Sequence, residues 1–408
     1  MIKIKIFAVL LLILSFSETK AQRVVFNLIS KMDLEPQYEL WDGNRTRLMG
    51  FTKLFGTPIS LPSPTLIFNE GDSIEIRLRN MSQSAPHTIH LHGLDVNQVT
   101  DGVPQLSFSI PHDSTGAYIF KAPHAGTYLY HCHVISTVHV QAGMYGVIIV
   151  KPPGGEDKTW KDGYVYQQEK TWMMSELDTF WHQQNIIHMP GQHDHSAGAN
   201  ILDYNPTYFL VNGKSETELI EESIKVSAKA NEIVYLRLVN IGYYGNRIIF
   251  PTGLNVTIVS SDGRPLPISE NKDTLEVFPG ERYGALLKPT QEFLDNIEVE
   301  YFDLNSQKVH NTQNVPLEIL GFLNNRKIEK GSFNIYPNPL VDKLYLSFPQ
   351  DVKYGAVTIY SAHGRSVLIT DVTLAKPMID LSELTNGTYF IQFTSKEKSY
   401  YRKIVKTQ

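Results

Sequence analysis

Short runs of alternating apolar and polar residues dominate the chain. Residues 73–80 place Ile74, Ile76 and Leu78 on one side of an extended strand and polar or charged residues on the other, and residues 232–240 show much the same pattern. Gly, Pro, Asn and Asp interrupt the chain at short intervals, and no long segment has the period of an amphipathic helix. The pattern predicts an all-β protein built of sandwiches or barrels.

Composition narrows the classes of protein. The 408 residues suffice for two to four domains at roughly 100–200 residues each. The net charge of −5 argues against a nucleic-acid partner, which would require a basic surface. The 19 Phe and 21 Tyr argue against disorder, because they can bury a core. A single cysteine, Cys132, excludes an intrachain disulfide.

The N-terminus has the organisation of a secretory signal peptide. Two early lysines precede an almost wholly apolar run at residues 6–16, and small residues at 19 and 21 suit cleavage. We therefore expect a signal peptide over residues 1–21, with an uncleaved anchor helix as the alternative. No later stretch reaches 18 apolar residues, so we expect no transmembrane segment in the mature chain.

Three domains are expected after the signal peptide. The Pro-Pro-Gly-Gly sequence at 152–155 is typical of a linker and closes a first domain over residues 22–155. A second domain would span residues 156–325. A charged stretch then leads into a third domain over residues 333–408.

Metal-binding residues surround the single cysteine. Cys132 lies between His131 and His133, and His139 and Met144 follow. A lone cysteine is usually a small buried hydrophobe, but so many flanking donors make that reading poor here. A Cys thiolate, two His and a weak axial Met are the ligands of a blue-copper electron-transfer site. Cys132, His139 and Met144 supply three of these four ligands, and the second histidine should come from another strand.

An upstream segment, residues 86–95, supplies three more histidines: His87, His90 and His92. In an extended strand, side chains alternate, so His90 and His92 share a face and His87 has the opposite parity. The same rule separates Cys132 from its two neighbouring histidines. Two groups follow, which we call the thiolate set (His87, Cys132, His139, Met144) and the histidine set (His90, His92, His131, His133). An electron could pass between them through the covalent bonds of residues 131–133.

These motifs closely resemble those of the multicopper oxidases. The matching text is HTIHLHG at 87–93 and GTYLYHCH at 126–133, and the resemblance covers most of residues 60–150. It implies cupredoxin-like Greek-key β-sandwich or barrel domains, type 1 copper on the thiolate set, and type 2 and type 3 copper on the histidine set. It also implies that single electrons from a small reducing substrate, a phenol or a metal ion, are used to reduce O2 to water.

Two acidic residues are candidates for a proton relay. Asp101 lies nine residues after His92, and some members of the family have an acid at the matching place. The alternative is that Asp101 only forms a turn with Gly102. Asp95 is the second, less favoured candidate.

The spacing of the ligands departs from the usual pattern of the family. Thr137 stands where most members have the histidine, and His139 follows Cys132 by seven residues. A longer loop also occurs in copper nitrite reductases, in which the two upstream histidines are five residues apart, as His87 and His92 are. However, those enzymes lack histidines matching His90 and His133, so the oxidase is favoured over a nitrite-reductase-like enzyme. A copper-binding or electron-transfer protein without catalysis is a third possibility.

The number of histidines is the larger departure. The family's trinuclear cluster takes eight histidines, and the first domain offers four. Residues 205–323 contain only His310 and resemble the copper-free middle domain of three-domain laccases. A His-rich segment offers further possible ligands, either in the same chain or from a neighbour in a homotrimer. The alternatives are that it binds separate copper ions or is a polar, exposed loop. The candidates are His182, His188, His193 and His195.

The third domain resembles the C-terminal sorting domain of the type IX secretion system of Bacteroidota. Its YPNP start at 336–339 and its NGTY turn at 386–389 carry the resemblance. It implies a small immunoglobulin-like β-sandwich that is recognised by the export machinery. Together with the signal peptide, it predicts a secreted or cell-surface protein.

Overall fold

A computed structural model describes residues 23–82, 86–183, 204–321, 334–347, 354–361, 366–373, 377–395 and 398–407. The described chain is mostly strand, which confirms the all-β prediction. Within those ranges there is one α-helix, α1 (Ser136–Gln141), besides short 3-10 turns. No helix in the described part of the chain is long and apolar enough to cross a membrane.

Eight of the first ten strands form a sandwich of two four-stranded sheets, which we call the first sandwich, and β2 and β3 pair separately with each other. The sheet orders are β4-β1-β6-β8 and β5-β10-β9-β7. The ten strands are β1 (Val24–Met32), β2 (Tyr38–Glu39), β3 (Arg45–Thr46), β4 (Met49–Thr52), β5 (Ser63–Asn69), β6 (Ser73–Asn80), β7 (His90–His92), β8 (Thr115–Lys121), β9 (Gly126–His131) and β10 (Tyr145–Lys151). β6 coincides with the alternating run at 73–80, and its Ile74, Ile76 and Leu78 are fully buried between the sheets.

Eleven further strands form a second sandwich, with a six-stranded sheet β12-β11-β14-β19-β16-β17 and a five-stranded sheet β13-β21-β20-β15-β18. An apolar core fills the space between the two sheets. The strands are β11 (Gln168–Leu177), β12 (Tyr208–Val211), β13 (Val226–Lys229), β14 (Val234–Asn240), β15 (Gly245–Ile249), β16 (Val256–Ser261), β17 (Arg264–Asn271), β18 (Thr274–Val277), β19 (Arg282–Leu287), β20 (Phe293–Phe302) and β21 (Val309–Leu320).

The two sandwiches pack against each other through the outer faces of one sheet each. Leu129 and Val147 of the first sandwich share an apolar cluster with Met173 and Val239 of the second. As a result β14 is buried on both faces, although its sequence alternates. Its Arg237, fully buried, pairs with Glu169 at 2.5 Å and donates a hydrogen bond to Thr127 of the first sandwich at 2.7 Å. The second sandwich therefore packs directly against β9, the strand that ends at His131.

The C-terminal part of the chain forms a separate compact unit beginning near residue 323. It has a three-stranded sheet, β22-β23-β26, and a four-stranded sheet, β25-β24-β27-β28, over a single apolar core. This small sandwich is immunoglobulin-like, as the sequence predicts. Its strands are β22 (Asn334–Tyr336), β23 (Lys343–Ser347), β24 (Tyr354–Ser361), β25 (Ser366–Thr373), β26 (Met378–Asp380), β27 (Gly387–Ser395) and β28 (Lys398–Lys406).

Candidate metal centre

Strand pairing in the first sandwich brings the two histidine motifs together. β7 lies antiparallel to β9, with His90 opposite His131 and His92 opposite Leu129. Just before β7, His87 forms an isolated bridge with Ile110. Because alternate side chains of an extended strand point to opposite faces, His87 and His90 reach different sides of the same segment.

The thiolate set converges in the core of the first sandwich. The Cys132 Sγ lies 3.3 Å from His139 Nδ1 and 3.6 Å from His87 Nδ1. These separations match those of donors that share one metal at about 2.3 Å from sulfur and 2.0–2.1 Å from nitrogen. Met144 belongs to the same buried cluster, and its backbone bonds to those of His139 and Cys132 at 2.9 and 3.0 Å. All four side chains are fully buried.

The thiolate set fits copper in its donor chemistry. Thiolate and thioether sulfur suit Cu(I), and imidazole suits both oxidation states. Burial raises the pKa of the Cys132 thiol to about 11, so a metal must displace its proton to bind.

The histidine set lies on β7 and at the C-terminal end of β9. Ligand nitrogens of His90, His92 and His131 all lie within 4.8 Å of one another. His92 Nδ1 is 3.4 Å from His131 Nε2, a separation that one shared metal ion requires at bonds of about 2.0–2.1 Å. The His133 ring lies 5.2 Å from that of His90, between centroids, and 5.9 Å from that of His131.

Hydrogen bonds orient two of these rings for metal binding. His90 Nδ1 lies 2.8 Å from the Asp101 carbonyl, and His131 Nδ1 lies 2.9 Å from the Cys132 carbonyl. A carbonyl can only accept, so each Nδ1 carries the proton and each Nε2 keeps its lone pair for a metal.

Burial keeps the imidazoles of His131 and His92 neutral. It lowers the pKa of His131 to about 3, and, with help from the nearby Arg282 cation, that of His92 to about 4. Neutral rings offer lone pairs at any pH well above 4, so protons do not compete with a metal in the neutral range.

The two acidic candidates have different surroundings. Asp101 adjoins the histidine set, since its Oδ2 lies 3.5 Å from His90 Nδ1. Asp95 is largely exposed and pairs with Arg264 of the second sandwich at 2.5 Å. Only Asp101 is therefore placed to exchange a proton near these histidines.

His182, the one remaining candidate among the described residues, is not brought to either set. His182 is buried, with Nδ1 at 2.6 Å from the Arg47 carbonyl and Nε2 at 3.1 Å from Gln141 Oε1. His188, His193 and His195 lie outside the described residues. Among the described residues, the only groupings of three or more potential His, Cys, Asp or Glu ligands are those in the two sets.

The second sandwich contributes neighbours that sequence reasoning missed. A Cβ on Gly280 would lie 3.2 Å from His92 Cε1, so only a glycine leaves this ring undisturbed. Arg282 packs over Gly93, donates to the Gly280 carbonyl at 2.7 Å and pairs with Asp262 at 2.9 Å. No motif around Gly280 signals this role, because it depends on the packing of the two sandwiches.

A buried carboxyl behind α1 was also missed. Glu176 is 2% exposed, and burial raises the pKa of its carboxyl from 4.5 to about 7. Its Oε1 accepts hydrogen bonds from the Tyr204 hydroxyl and the Tyr244 backbone, both at 3.2 Å. These bonds are too few to offset the loss of hydration of the charged form.

We expect Glu176 to make the free energy of unfolding depend on pH. Because its pKa is higher in the folded than in the unfolded chain, its contribution is fully present below about pH 4.5 and is lost as pH rises through 7. At 1.36 kcal/mol per pKa unit, the free energy of unfolding should fall by about 3 kcal/mol. Denaturant unfolding at pH 4 and pH 8.5 measures this loss. Glu176→Gln, which cannot ionise, should remove this part of the pH dependence, and an unchanged profile would contradict the assignment.

Comparison with known proteins agrees with the geometry. Residues 42–155 and 174–316 each match the multicopper oxidase family. The chain belongs to the multicopper oxidase family. Copper, the metal that the family binds, is thus the cofactor of this chain, in agreement with its sulfur and imidazole donors. Residues 334–407 match the secretion system C-terminal sorting domain, which confirms that prediction.

Individual relatives are similar to parts of the chain. Copper resistance protein A of Escherichia coli is 28% identical over 273 residues, which are 57% of this chain and 42% of that protein. The chain therefore spans less than half of that relative's length. The blue copper oxidase from Nitrosomonas europaea is similar in structure, with a TM-score of 0.58, 25% identity, and coverage of 73% of this chain and 86% of that one. Copper-containing nitrite reductase of Neisseria meningitidis is 33% identical, but over only 109 residues, 26% of this chain and 27% of that protein.

Proposed function

We propose that the chain is a copper-dependent oxidase that takes single electrons from a small reducing substrate, a phenol or a metal ion, and delivers them to O2. The observation that carries this proposal is the junction of the two donor sets. Cys132 of the thiolate set is bonded through the backbone to His131 and His133 of the histidine set. When bound, copper would supply one-electron oxidation at the first set and O2 reduction at the second.

The chain's own residues have distinct proposed roles. The thiolate set is fully buried, so neither water nor the reducing substrate would touch it, and electrons would reach it through the protein. The three-residue segment 131–133 conducts them through covalent bonds. At the second set, the Asp101 carbonyl orients His90. The Asp101 carboxyl group, 3.5 Å from that ring, is the proposed relay, which would take a proton from solvent and pass it to reduced oxygen.

The copper-binding domain would span residues 22–155, the copper-free one 156–325 and the sorting domain 333–408, after a signal peptide over 1–21. The sorting domain indicates secretion or display at the cell surface. The histidine set offers four of the family's eight ligands. The others are proposed to come from a neighbouring copy in a homotrimer or from the His-rich segment.

Two other functions are each favoured by one observation. The seven-residue spacing from Cys132 to His139 favours a nitrite-reductase-like enzyme. The four-histidine set, with Gly280 and Arg282 closing its side toward the second sandwich, favours a copper-binding or electron-transfer protein without O2 turnover.

Oxygen uptake by the copper-loaded full chain tests the proposal. We expect blue absorption, more copper than a single type 1 site binds, and O2 consumption with a phenol, Fe(II) or Cu(I). Conversion of nitrite to nitric oxide without O2 consumption would select the nitrite-reductase-like function. Blue absorption with neither activity would select the electron-transfer protein, and no blue absorption would reject the thiolate set as a type 1 site.

A further inference from the structure

The lengthened segment between Cys132 and His139 is helical in its second half. Its residues enter α1 through Ile135, whose φ of 46° and ψ of 50° lie in the left-handed region. A β-branched residue is strained there, because its side chain crowds the backbone. This conformation persists only where the surroundings hold it, so the contacts around α1 help to set the position of His139.

The second sandwich holds both ends of α1. At the start, the Tyr243 hydroxyl donates to the Thr137 carbonyl at 2.5 Å. At the end, the Gln141 side chain donates to the Glu176 carbonyl at 2.8 Å. His139 lies between these two anchors, two residues from each.

Contacts with Glu176 and Tyr204 fix the position of Tyr243. Its backbone N–H donates to Glu176 Oε1, and its ring packs on Tyr204 with centroids 5.2 Å apart. A Cβ on Gly242 would lie 2.0 Å from Glu176 Oε2, so this close approach needs a glycine. Beside them a cavity of about 10 Å³, room for one water molecule, is lined by Gln141 and Glu176 among others.

We propose that Tyr243, a residue of the copper-free second sandwich, is a positioning residue for the type 1 copper ligand His139. It acts through the Thr137 carbonyl and α1 rather than by touching the metal. The donors are fully buried, so protein contacts alone set the angle between the His139 ring and Cys132. Ligand geometry sets the spectrum and redox potential of such a site. This inference rests on the proposed function, because it needs a copper at the thiolate set.

Tyr243→Phe tests the inference, because it removes the hydroxyl and keeps the ring. In the copper-loaded full chain we expect the blue band to persist, with altered intensity ratios of its thiolate-to-copper transitions and altered copper hyperfine splitting. The reduction equilibrium of that copper should change by about fivefold, the factor that one ordinary hydrogen bond represents. Tyr235→Phe is the matched control, because its buried hydroxyl lies 3.3 Å from Ser260 Oγ within the second sandwich.

A second variant separates positioning from general destabilisation. Gly242→Ala should displace Glu176 and Tyr243 together and shift the same spectra in the same direction as Tyr243→Phe. Spectra and potential of Tyr243→Phe that equal those of wild type and Tyr235→Phe would overturn the inference, whatever the stability of the variants. A wild type without blue absorption would reject the proposed function and this inference with it, whereas an unchanged variant rejects the inference alone.

Discussion

Replacing Cys132 by serine should abolish the blue absorption that we expect of the copper-loaded protein. The band requires charge transfer from a thiolate to copper, and the chain has no other cysteine. A serine hydroxyl at this place is a far weaker copper ligand than thiolate sulfur. In the proposed function electrons enter at the same site, so O2 uptake with any of the reductants should fall to background. Absorption spectra and oxygen-electrode measurements on the full chain check both outcomes.

Two comparisons show that the loss comes from the ligand and not from the fold. Serine adds a hydroxyl to a fully buried site, which costs roughly 1–3 kcal/mol, so unfolding of the metal-free variant should reveal a folded protein. Met144→Leu keeps the thiolate and both imidazoles, and should keep the blue colour with a changed potential. Blue absorption in Cys132→Ser would contradict the assignment of the thiolate set.

Replacing His131 by alanine should abolish O2 uptake but leave the blue colour. The variant removes one imidazole from the histidine set, where His131 Nε2 lies 3.4 Å from His92 Nδ1. Loss of a neighbour that merely orients a ligand typically costs 10–100-fold, so loss of the ligand itself should cost at least about 100-fold. The thiolate set, on the opposite side of this segment, keeps all four of its donors. Copper content, spectra and O2 uptake are measured together.

Two further variants serve as references for His131→Ala. His112→Ala should change neither spectrum nor uptake, because that ring bonds to the Ser82 carbonyl at 2.8 Å and belongs to neither set. Asp101→Asn keeps the backbone carbonyl that orients His90 and removes only the charge. It should keep its copper and colour but reduce O2 more slowly. Full turnover in His131→Ala would contradict the role of the histidine set.

Local patterns predicted individual strands of the fold. The alternation at 73–80 corresponds to β6 with the same bounds, because the two-residue period of a half-buried strand is visible in one segment. The sequence alternates at 232–240 as well, but β14 is buried on both faces. There, packing against the first sandwich buries Arg237, which pairs with Glu169. A single segment carries no record of such packing.

Several site residues needed the three-dimensional structure. The sequence left Asp101 and Asp95 both open as relays, and only the first adjoins His90, while the second pairs with Arg264. His182 belongs to a His-rich segment, yet its ring bonds within the core. Enrichment in histidine does not show which nitrogens face a metal and which face carbonyl groups.

The sequence by itself determined the donor types, their spacing and their division between two faces of extended strands, because donor chemistry and strand parity are local properties. The tertiary structure decided which donors meet and in what environment. His87 and Cys132, 45 residues apart, come within 3.6 Å only when the sheets of the first sandwich close around them. Arg282 beside His92 and Tyr243 behind α1 depend on the packing of the second sandwich, which no pattern within one segment encodes.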